Sequence, residues 1–360
     1  MNLKIVTIIG ARPQFIKAAV VSRALIKYSN IKEIIIHTGQ HFDSNMSNIF
    51  FNDLNIPIPQ YNLNINNLGH GAMTGQMIEK IEEILLYEKP DWVLIYGDTN
   101  STLAASIAAK KLYIKIAHVE AGLRTFDMHN PEEINRIVAD RLSDVLFIPS
   151  DIARNNLEFE GFNTFGCEIL NFGDVMYDAS QFYKTYAKKP IYSIPPKFSL
   201  CTMHRAENTD NAENLINIMN ALEKISQTYP IVFPIHPRTK NKLLSIKYDF
   251  TNSKIVFIDP VGYLEMVWLL KNCEIVLTDS GGLQKEAYFF NKYCIILNTI
   301  TPWNELNDGG FNQLVGSNHI GIIDSFNYYI NKPKEGFGEK IYGNGDAGEK
   351  IANYFSKFIY

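Results

Sequence analysis

The sequence predicts an α/β protein built from two doubly wound domains with parallel sheets. Short runs rich in Val, Ile and Leu alternate with helical stretches, which is typical of a parallel sheet covered on both faces. The alternation stops at residues 184–197, a segment with three prolines and several lysines, and then restarts. At 360 residues the chain is also long for one hydrophobic core, so two domains are expected.

The first predicted domain covers residues 1–183. Its predicted strands lie at 4–10, 33–39, 92–98, 114–120 and 145–150, and its helices at 13–28, 73–88, 101–111 and 131–143. After the 184–197 linker, the second predicted domain covers 198–345. Its strands lie at 198–204, 231–236, 254–258, 274–280 and 293–298, and its helices at 211–228, 262–271 and from 282.

Three further segments complete the prediction. The last segment, 346–358, has a helical pattern and can belong to either domain, so the first domain is taken as 1–183 with the option of adding 346–360. Stretches 60–72 and 331–347 are rich in Asn, Gly or Lys and are predicted to be loops.

Composition limits the class of function. Hydrophobic residues make up 46% of the chain, charged residues 20%, and the formal net charge is -4 with scattered basic residues, which argues for a globular protein and against a nucleic-acid-binding one. The four cysteines lie far apart and show no zinc-like spacing, so we expect a reduced, cytoplasmic protein. No set of His, Asp and Glu residues has a recognisable metal spacing, so no required metal is predicted. The N-terminal apolar run is too short for a membrane span, and no signal-peptide cleavage site follows it.

Two strand-to-helix turns have the composition of anion sites. The first is Gly10-Ala-Arg12-Pro13, with Lys17 on the following helix, and the second is Ser280-Gly281-Gly282. Helix N-termini attract anions, and a diphosphate held at both turns would lie between the domains. The first turn can equally be an ordinary strand–helix connection. The second can also be an ordinary glycine-rich helix cap, but the presence of such turns in both domains favours the anion site. Neither has the Gly-x-Gly-x-x-Gly pattern, so no nicotinamide cofactor is predicted.

Acidic residues follow the strands of the first domain. Asp98 and Glu120 end two predicted strands, and Glu132 opens the helix that follows Pro131. Ligands bind at the carboxyl ends of strands in open α/β sheets, and a partly desolvated carboxylate there can act as a base. Individually, each residue is as well explained as a helix cap; the three together favour chemistry.

Polar residues in the second domain extend the pattern. His204 and His236 each end a predicted strand, where a single histidine is more often structural, but two at neighbouring strand ends point to a site. Glu286 lies one turn into the helix after Gly282, where its carboxylate can accept two hydroxyl hydrogen bonds, as a ribose diol would offer, or simply favour the helix end.

Several segments together resemble the non-hydrolysing UDP-N-acetylglucosamine 2-epimerase family. They occur in order between about residues 3 and 316 and read GARPQFIKAA, TGQHFD, YGDTNSTLA, HVEAGLRT, PEEINR, MHRAEN, PIHPR and TDSGGLQKEA. The resemblance implies two Rossmann-like domains with a cleft between them, as in one large class of glycosyltransferases (the glycosyltransferase-B-like arrangement). It also implies a homodimer.

The resemblance also implies roles for individual residues. The acid/base carboxylates fall on Asp98, Glu120 and Glu132, and the catalytic histidine on His204. The residues that hold the UDP-sugar in the family match Arg12, Lys17, Arg136, His236, Ser280, Gly281, Gly282 and Glu286.

Within the family the chain looks most similar to the branch acting on UDP-2,3-diacetamido-2,3-dideoxy-D-glucuronate, an intermediate of surface polysaccharide synthesis. Arg238 and Lys285 are hypothesised to answer the charge of a uronate, although both can equally be solvated. One departure is Asn298, because the family usually has an arginine there. A cation expected near the ligand in this family is therefore replaced by a neutral amide at this position.

The chemistry implied by the family needs elimination, because carbon 2 of such a sugar is not next to a carbonyl. A base removes the carbon-2 proton while UDP leaves carbon 1, and UDP then adds back as a proton arrives on the opposite face. The alternatives are the same reaction on UDP-N-acetylglucosamine, a retaining glycosyltransferase, or a catalytically silent UDP-sugar sensor. The three acids count against the sensor, and the lack of an acceptor-site signal counts against the transferase.

Overall fold

The protein divides into two units, which are described separately. In the computed structural model, the first unit is Met1–Ala179 with Lys340–Tyr360, and the second is Ser180–Glu339. The structure describes residues 3–40, 57–337 and 340–358. Residues 41–43, which end the TGQHFD motif, lie outside the described residues.

The apolar runs of the first unit form a seven-stranded sheet in which every pairing is parallel. Its order is β3-β2-β1-β4-β5-β6-β7. The strands are β1 Leu3–Ile9, β2 Ile31–His37, β3 Tyr61–Asn62, β4 Trp92–Tyr96, β5 Lys115–Val119, β6 Val145–Ile148 and β7 Glu168–Asn171. The central strands β4 and β6 are buried at every residue, as expected for a sheet covered on both faces.

The described helices of the first unit cover this sheet. They are α1 Arg12–Leu25, α2 His70–Glu88, α3 Asn100–Lys111, α4 Pro131–Leu142, α5 Asp151–Phe159, α6 Val175–Tyr183, which crosses into the second unit, and α14 Ala347–Ser356 at the C-terminus. Helix α14 packs on α1, and the Trp92 ring lies 5.5 Å from the Phe355 ring. The C-terminal segment thus belongs to the first unit because its aromatic side chains complete that unit's core.

The second unit repeats the architecture with a six-stranded parallel sheet of order β10-β9-β8-β11-β12-β13. Its strands are β8 Ser199–Thr202, β9 Ile231–Pro234, β10 Val256–Ile258, β11 Ile275–Thr278, β12 Tyr293–Ile296 and β13 Asn312–Leu314. Its described helices are α7 Ala206–Thr209, α8 Ala212–Ser226, α9 Pro237–Ser245, α10 Tyr263–Asn272, α11 Gly281–Phe289, α12 Asn304–Asp308 and α13 His319–Asn331.

Each sheet reverses its strand order once, between β1 and β4 in the first unit and between β8 and β11 in the second. In open α/β sheets, ligands bind beyond the carboxyl ends of the strands at such a reversal. The predicted α/β class with two Rossmann-like sheets is confirmed, and topology marks one edge of each sheet as a candidate site. None of the described helices has the length and hydrophobicity of a membrane span.

Some elements differ from the prediction. The stretch 60–72 is not all loop, because β3 pairs with β2 and α2 begins at His70. The strand predicted at 254–258 is shorter, and several elements were not predicted: the helices α5, α6, α7, α9, α12 and α13 and the strands β3, β7 and β13. The edge strand β7 has no fully buried residue, and α13 is rich in Ile, Tyr and Phe, which favour strands. Local pattern is weak in both cases, and packing decides.

Candidate active site

The turn between β1 and α1 is closed by the side chain of Gln14. Its Oε1 atom accepts hydrogen bonds from the backbone N–H groups of Gly10 (2.8 Å) and Ala11 (3.0 Å), and its Nε2 atom donates to the carbonyl of Tyr96 (2.8 Å). These two amides are therefore occupied, so this turn offers an anion fewer backbone donors than its sequence suggests. The Gln14 side chain instead joins α1 to the end of β4.

The cation Lys17 and the carboxylate of Glu120 form an ion pair that is almost wholly shielded from solvent. Their side chains are 8% and 9% exposed. Lys17 comes from α1 and Glu120 follows β5, where it adopts a left-handed backbone conformation (φ 68°). Such a conformation is uncommon for a residue with a side chain and often marks a functional position. Arg12 begins the same helix and is partly exposed.

A second ion pair holds Asp98. The Arg136 guanidinium donates to Asp98 Oδ2 (2.5 Å) and to Glu133 Oε2 (2.8 Å), and Asn135 Nδ2 donates to the Asp98 carbonyl (2.8 Å). Burial by itself would lower the pKa of Arg136, but the carboxylates of Asp98 and Glu133 outweigh it and raise that pKa. Arg136, predicted to bind substrate, thus contacts two carboxylates of its own chain.

The two neighbouring glutamates of the PEEINR segment have different surroundings. Glu133 is completely buried and accepts from the backbone N–H groups of Thr125 and Phe126, besides Arg136. Glu132 is partly exposed, and its backbone N–H is capped by the side chain of Asn130 (3.1 Å). Glu133 therefore braces the 125–126 loop, whereas Glu132 remains accessible for chemistry.

The carboxylates of the first unit gather at one edge of its sheet. Strands β1, β4 and β5 are neighbours, so the Gly10 turn, Asp98 and Glu120 follow three adjacent strands. A Cβ atom added to Gly97 would lie only 3.3 Å from Lys17 Nζ, which places the Lys17–Glu120 pair beside the turn that carries Asp98. The structure thus brings together the groups that the sequence picked out separately.

In the second unit, the buried carboxylate of Asp279 organises the edge of the sheet. It accepts from the backbone N–H groups of His204 (3.0 Å) and Arg205 (2.9 Å) and from Asn208 Nδ2 (3.2 Å). Asp279 lies within the TDSGGLQKEA motif but was assigned no role from the sequence. Its position at the end of a buried strand, between Thr278 and Ser280, was the available signal.

The two strand-end histidines lie together, because β8 and β9 are adjacent strands. The rings of His204 and His236 are 6.3 Å apart, and His204 Nδ1 is 3.4 Å from Asp279 Oδ1. Burial, the largest effect, lowers the pKa of His204 although Asp279 opposes it. Burial also lowers the pKa of His236, followed by the charge of Arg238. Both rings thus favour the neutral form.

The Ser280-Gly281-Gly282 turn begins helix α11 and is open to a ligand. The N–H of Ser280 donates to Thr278 Oγ1 (2.9 Å), and the Trp303 indole donates to the carbonyl of Gly281 (2.9 Å). The Ser280 side chain makes no capping hydrogen bond to its own helix, and a Cβ on Gly282 would meet nothing within 4 Å. Hydroxyl and amide groups at a helix N-terminus suit a phosphate. The candidate ribose ligand Glu286, on the same helix, is only 7% exposed.

Three residues discussed for the sugar have partners within the second unit. Arg238 donates to Asp210 (2.5 Å), and Lys285 is buried with its ammonium 3.9 Å from the centre of the Trp303 ring. Asn298, at the position where the family usually has an arginine, donates to the Asp279 carbonyl (3.1 Å). It thus braces the residue that precedes the Ser280-Gly281-Gly282 turn. Lys285 is therefore not solvated, which rules out one of the two interpretations offered for it from the sequence.

Comparison with known proteins decides the family. A model of the UDP-N-acetylglucosamine 2-epimerase family matches residues 23–356. The chain belongs to this family. A UDP-2,3-diacetamido-2,3-dideoxy-D-glucuronate 2-epimerase from Pseudomonas aeruginosa is 50% identical over 99% of this chain and 100% of its own length. The family resemblance seen in the sequence is confirmed, and the protein is an isomerase.

Solved structures of family members agree. A UDP-GlcNAc 2-epimerase from Methanocaldococcus jannaschii, solved in complex with UDP-GlcNAc and UDP, is 43% identical, has a TM-score of 0.91, and is matched over 99% of this chain and 100% of its own. One from Neisseria meningitidis bound to UDP-GlcNAc is 31% identical with a TM-score of 0.88, over 99% and 100%. The glycosyltransferase-B-like fold is thus shared with epimerases that bind UDP-sugars.

Proposed function

We propose that this epimerase inverts carbon 2 of UDP-2,3-diacetamido-2,3-dideoxy-D-glucuronate by eliminating and re-adding UDP. The observation that carries the substrate is the 50% end-to-end identity to the Pseudomonas aeruginosa enzyme of that name. The alternative substrate is UDP-N-acetylglucosamine, which is named for a relative from Methanocaldococcus jannaschii that is 44% identical over 97% of this chain and 98% of its own length.

In the proposed reaction a carboxylate takes the proton from carbon 2, and the electron pair of that bond forms a double bond between carbons 1 and 2. The bond from carbon 1 to the β-phosphate oxygen breaks, and its electrons leave with UDP. The same oxygen then attacks carbon 1, and carbon 2 takes a proton on the opposite face. The atoms balance without an oxidant, which agrees with a chain that has no dinucleotide-binding fingerprint.

The first unit supplies the acid/base groups in this proposal. Asp98, Glu120 and Glu132 are the candidates, since they follow neighbouring strands or open the next helix at one sheet edge. Arg136 and Lys17 hold the first two in fixed orientations, as a proton transfer requires.

The second unit supplies the groups that stabilise the departing diphosphate. Ser280, Gly281 and Gly282 form the open helix N-terminus, where fixed dipoles favour the charge that develops on UDP. Glu286 is the proposed ribose ligand, and His236 and His204 are proposed to contact the diphosphate, with His204 as acid or orienting group for the leaving oxygen. Arg12 is a further proposed UDP-sugar ligand, as the family resemblance implies.

The substrate is tested by comparing turnover of the two UDP-sugars at equal concentration. We expect kcat/KM for the diacetamido uronate to exceed that for UDP-N-acetylglucosamine by at least about 100-fold, because groups built to pair with polar substituents discriminate strongly. A preference for UDP-N-acetylglucosamine would establish the alternative. Sugar transfer to an acceptor would indicate a glycosyltransferase, and tight binding of both without turnover a sensor.

The carboxylate assignment is tested with isosteric variants. Asp98→Asn, Glu120→Gln and Glu132→Gln should each reduce kcat by at least about 100-fold, the usual contribution of a positioned acid or base, while UDP still binds. Glu133→Gln is the matched control for the loss of a structural carboxylate in the same segment, because the buried Glu133 carboxylate braces the 125–126 loop. It should lower the melting temperature more than Glu132→Gln does. Near-normal kcat in all three carboxylate variants would remove the assignment.

Three further properties rest on the family resemblance and, for the location, on the widely spaced cysteines. We propose a homodimer, a cytoplasmic location and a place in the synthesis of a surface polysaccharide such as an O-antigen. Sedimentation of the full chain at several concentrations tests the first: a mass that stays at the monomer value would contradict it.

A further inference from the structure

His118 is a buried residue to which the sequence assigned no role. It lies on β5, two residues before Glu120, and is 0% exposed. Its Nδ1 atom is 2.7 Å from Asp140 Oδ1, and its Nε2 atom is 2.8 Å from the carbonyl oxygen of Gly97. Both ring nitrogens thus lie at hydrogen-bond distance from oxygen atoms.

Both of these oxygens act as acceptors. A backbone carbonyl cannot donate, so Nε2 must carry a hydrogen. The Asp140 carboxylate also accepts from Arg124 Nη1 (2.7 Å) and from the N–H of Gly122 (3.1 Å). Burial would raise the pKa of Asp140, but its contacts with His118 and Arg124 outweigh this and lower that pKa. Because the buried Arg124 guanidinium and the Gly122 amide both donate to it, Asp140 is held as a carboxylate, and Nδ1 must carry a hydrogen as well.

We propose that His118 is a positively charged imidazolium in the folded epimerase and that it positions the turn carrying Asp98. A neutral ring would place a nitrogen lone pair against an oxygen lone pair at 2.7 or 2.8 Å, which is repulsive. The charges around the ring are also balanced, because Arg124 contacts a second carboxylate. It donates to Glu160 through two hydrogen bonds of 2.7 and 2.8 Å. Two cations thus face two carboxylates.

The turn that His118 holds is otherwise conformationally demanding. Gly97 has a left-handed backbone (φ 59°), its N–H donates to the carbonyl of Val119 (3.0 Å), and its carbonyl accepts from His118. With Asn135 bonded to the Asp98 carbonyl, the backbone on both sides of Asp98 is fixed. His118 thus acts on Asp98 through the Gly97 peptide. This positioning role rests on the proposed function of Asp98 as an acid/base group, whereas the charge of the ring does not.

The charge is tested by NMR of the full chain labelled with ¹⁵N in its histidine rings. The His118 signals are those lost in His118→Gln, and we expect two protonated nitrogens for them at neutral pH. One protonated and one bare nitrogen would overturn the proposal. Should that variant not fold, neutron diffraction of the unmodified protein shows directly whether hydrogens lie on both Nδ1 and Nε2.

The positioning role is tested by kinetics. His118→Gln keeps one hydrogen-bond donor and should lower kcat about tenfold, because misplacing a catalytic group by about 1 Å can reduce the rate by up to about 100-fold. His118→Phe keeps no donor and should lower kcat further. In both variants KM should stay within about twofold of the wild-type value. His129→Gln is the control, since that side chain is 99% exposed. Unchanged kcat in folded His118 variants would overturn the positioning role. If neither UDP-sugar turns over in the wild type, the proposed function fails while the NMR result still stands.

Discussion

Removing the Arg136 side chain should destabilise the first unit severely. In Arg136→Met, the completely buried Glu133 and the 32% exposed Asp98 both lose their cation. Breaking a buried ion pair by deleting one partner costs about 3–5 kcal/mol. Glu133 keeps two backbone donors and a hydroxyl donor, and Asp98 is partly solvated. We therefore expect the free energy of unfolding to fall by about 3 kcal/mol, the lower end of that range.

This loss can be measured as a shift in melting temperature. For a domain of this size, about 3 kcal/mol corresponds to a decrease of roughly 6–12 °C. Arg136→Lys keeps a charge but cannot bridge two carboxylates, so its decrease should be about half as large. The matched control is Arg141→Met on the same helix, where an exposed guanidinium lies over the Phe165 ring and contributes only about 0.5–1 kcal/mol. An Arg136→Met melting temperature within about 2 °C of that control would refute the reasoning.

Three other predictions concern stability and binding. Burial raises the pKa of Asp178 to about 6, so its contribution to stability is present below pH 4 and is lost as the pH rises through 6. Relative to Asp178→Asn, the wild type should lose up to about 3 kcal/mol of unfolding free energy between pH 4 and 7 in urea titrations. Curves of unfolding free energy against pH that run parallel for the two proteins would contradict this. Gly10→Ala would place a Cβ 2.1 Å from Thr38 Oγ1 and 2.2 Å from Ser101 Oγ, so it should cost about 1–3 kcal/mol by calorimetry, whereas an unchanged melting temperature would show that this turn relaxes freely. Asp279→Asn replaces a carboxylate that collects three donors, so UDP affinity by calorimetry should fall at least about tenfold; unaltered affinity would mean that Asp279 does not organise the turn.

The sequence predicted the sheets well because their signal is local. Buried strands such as β4 and β11 are continuous apolar runs, and each is followed by a turn whose Gly, Ser or Asp residues mark the carboxyl end. Strand β7 has no such run, and helix α13 contains residues that favour strands, so only tertiary packing determines them.

The sequence places the candidate residues at strand ends, but it does not predict the contacts between their side chains. Asp98 and Glu120 stand at strand ends, which the alternation of elements already placed at one sheet edge. Their pairing with Arg136 and Lys17 joins residues far apart along the chain, and no local pattern encodes it. Gln14 likewise looks like an ordinary helix residue in sequence, and only its buried contacts reveal that it closes the β1–α1 turn.

The central claim is that a carboxylate removes the proton on carbon 2 while UDP departs. Incubating the enzyme with its UDP-sugar in D₂O and following carbon 2 by NMR tests it most directly. We predict that deuterium from the solvent replaces the carbon-2 proton as the gluco and manno forms interconvert, and that this exchange is lost in Asp98→Asn, Glu120→Gln or Glu132→Gln. Full interconversion with the original proton retained at carbon 2 would contradict the account.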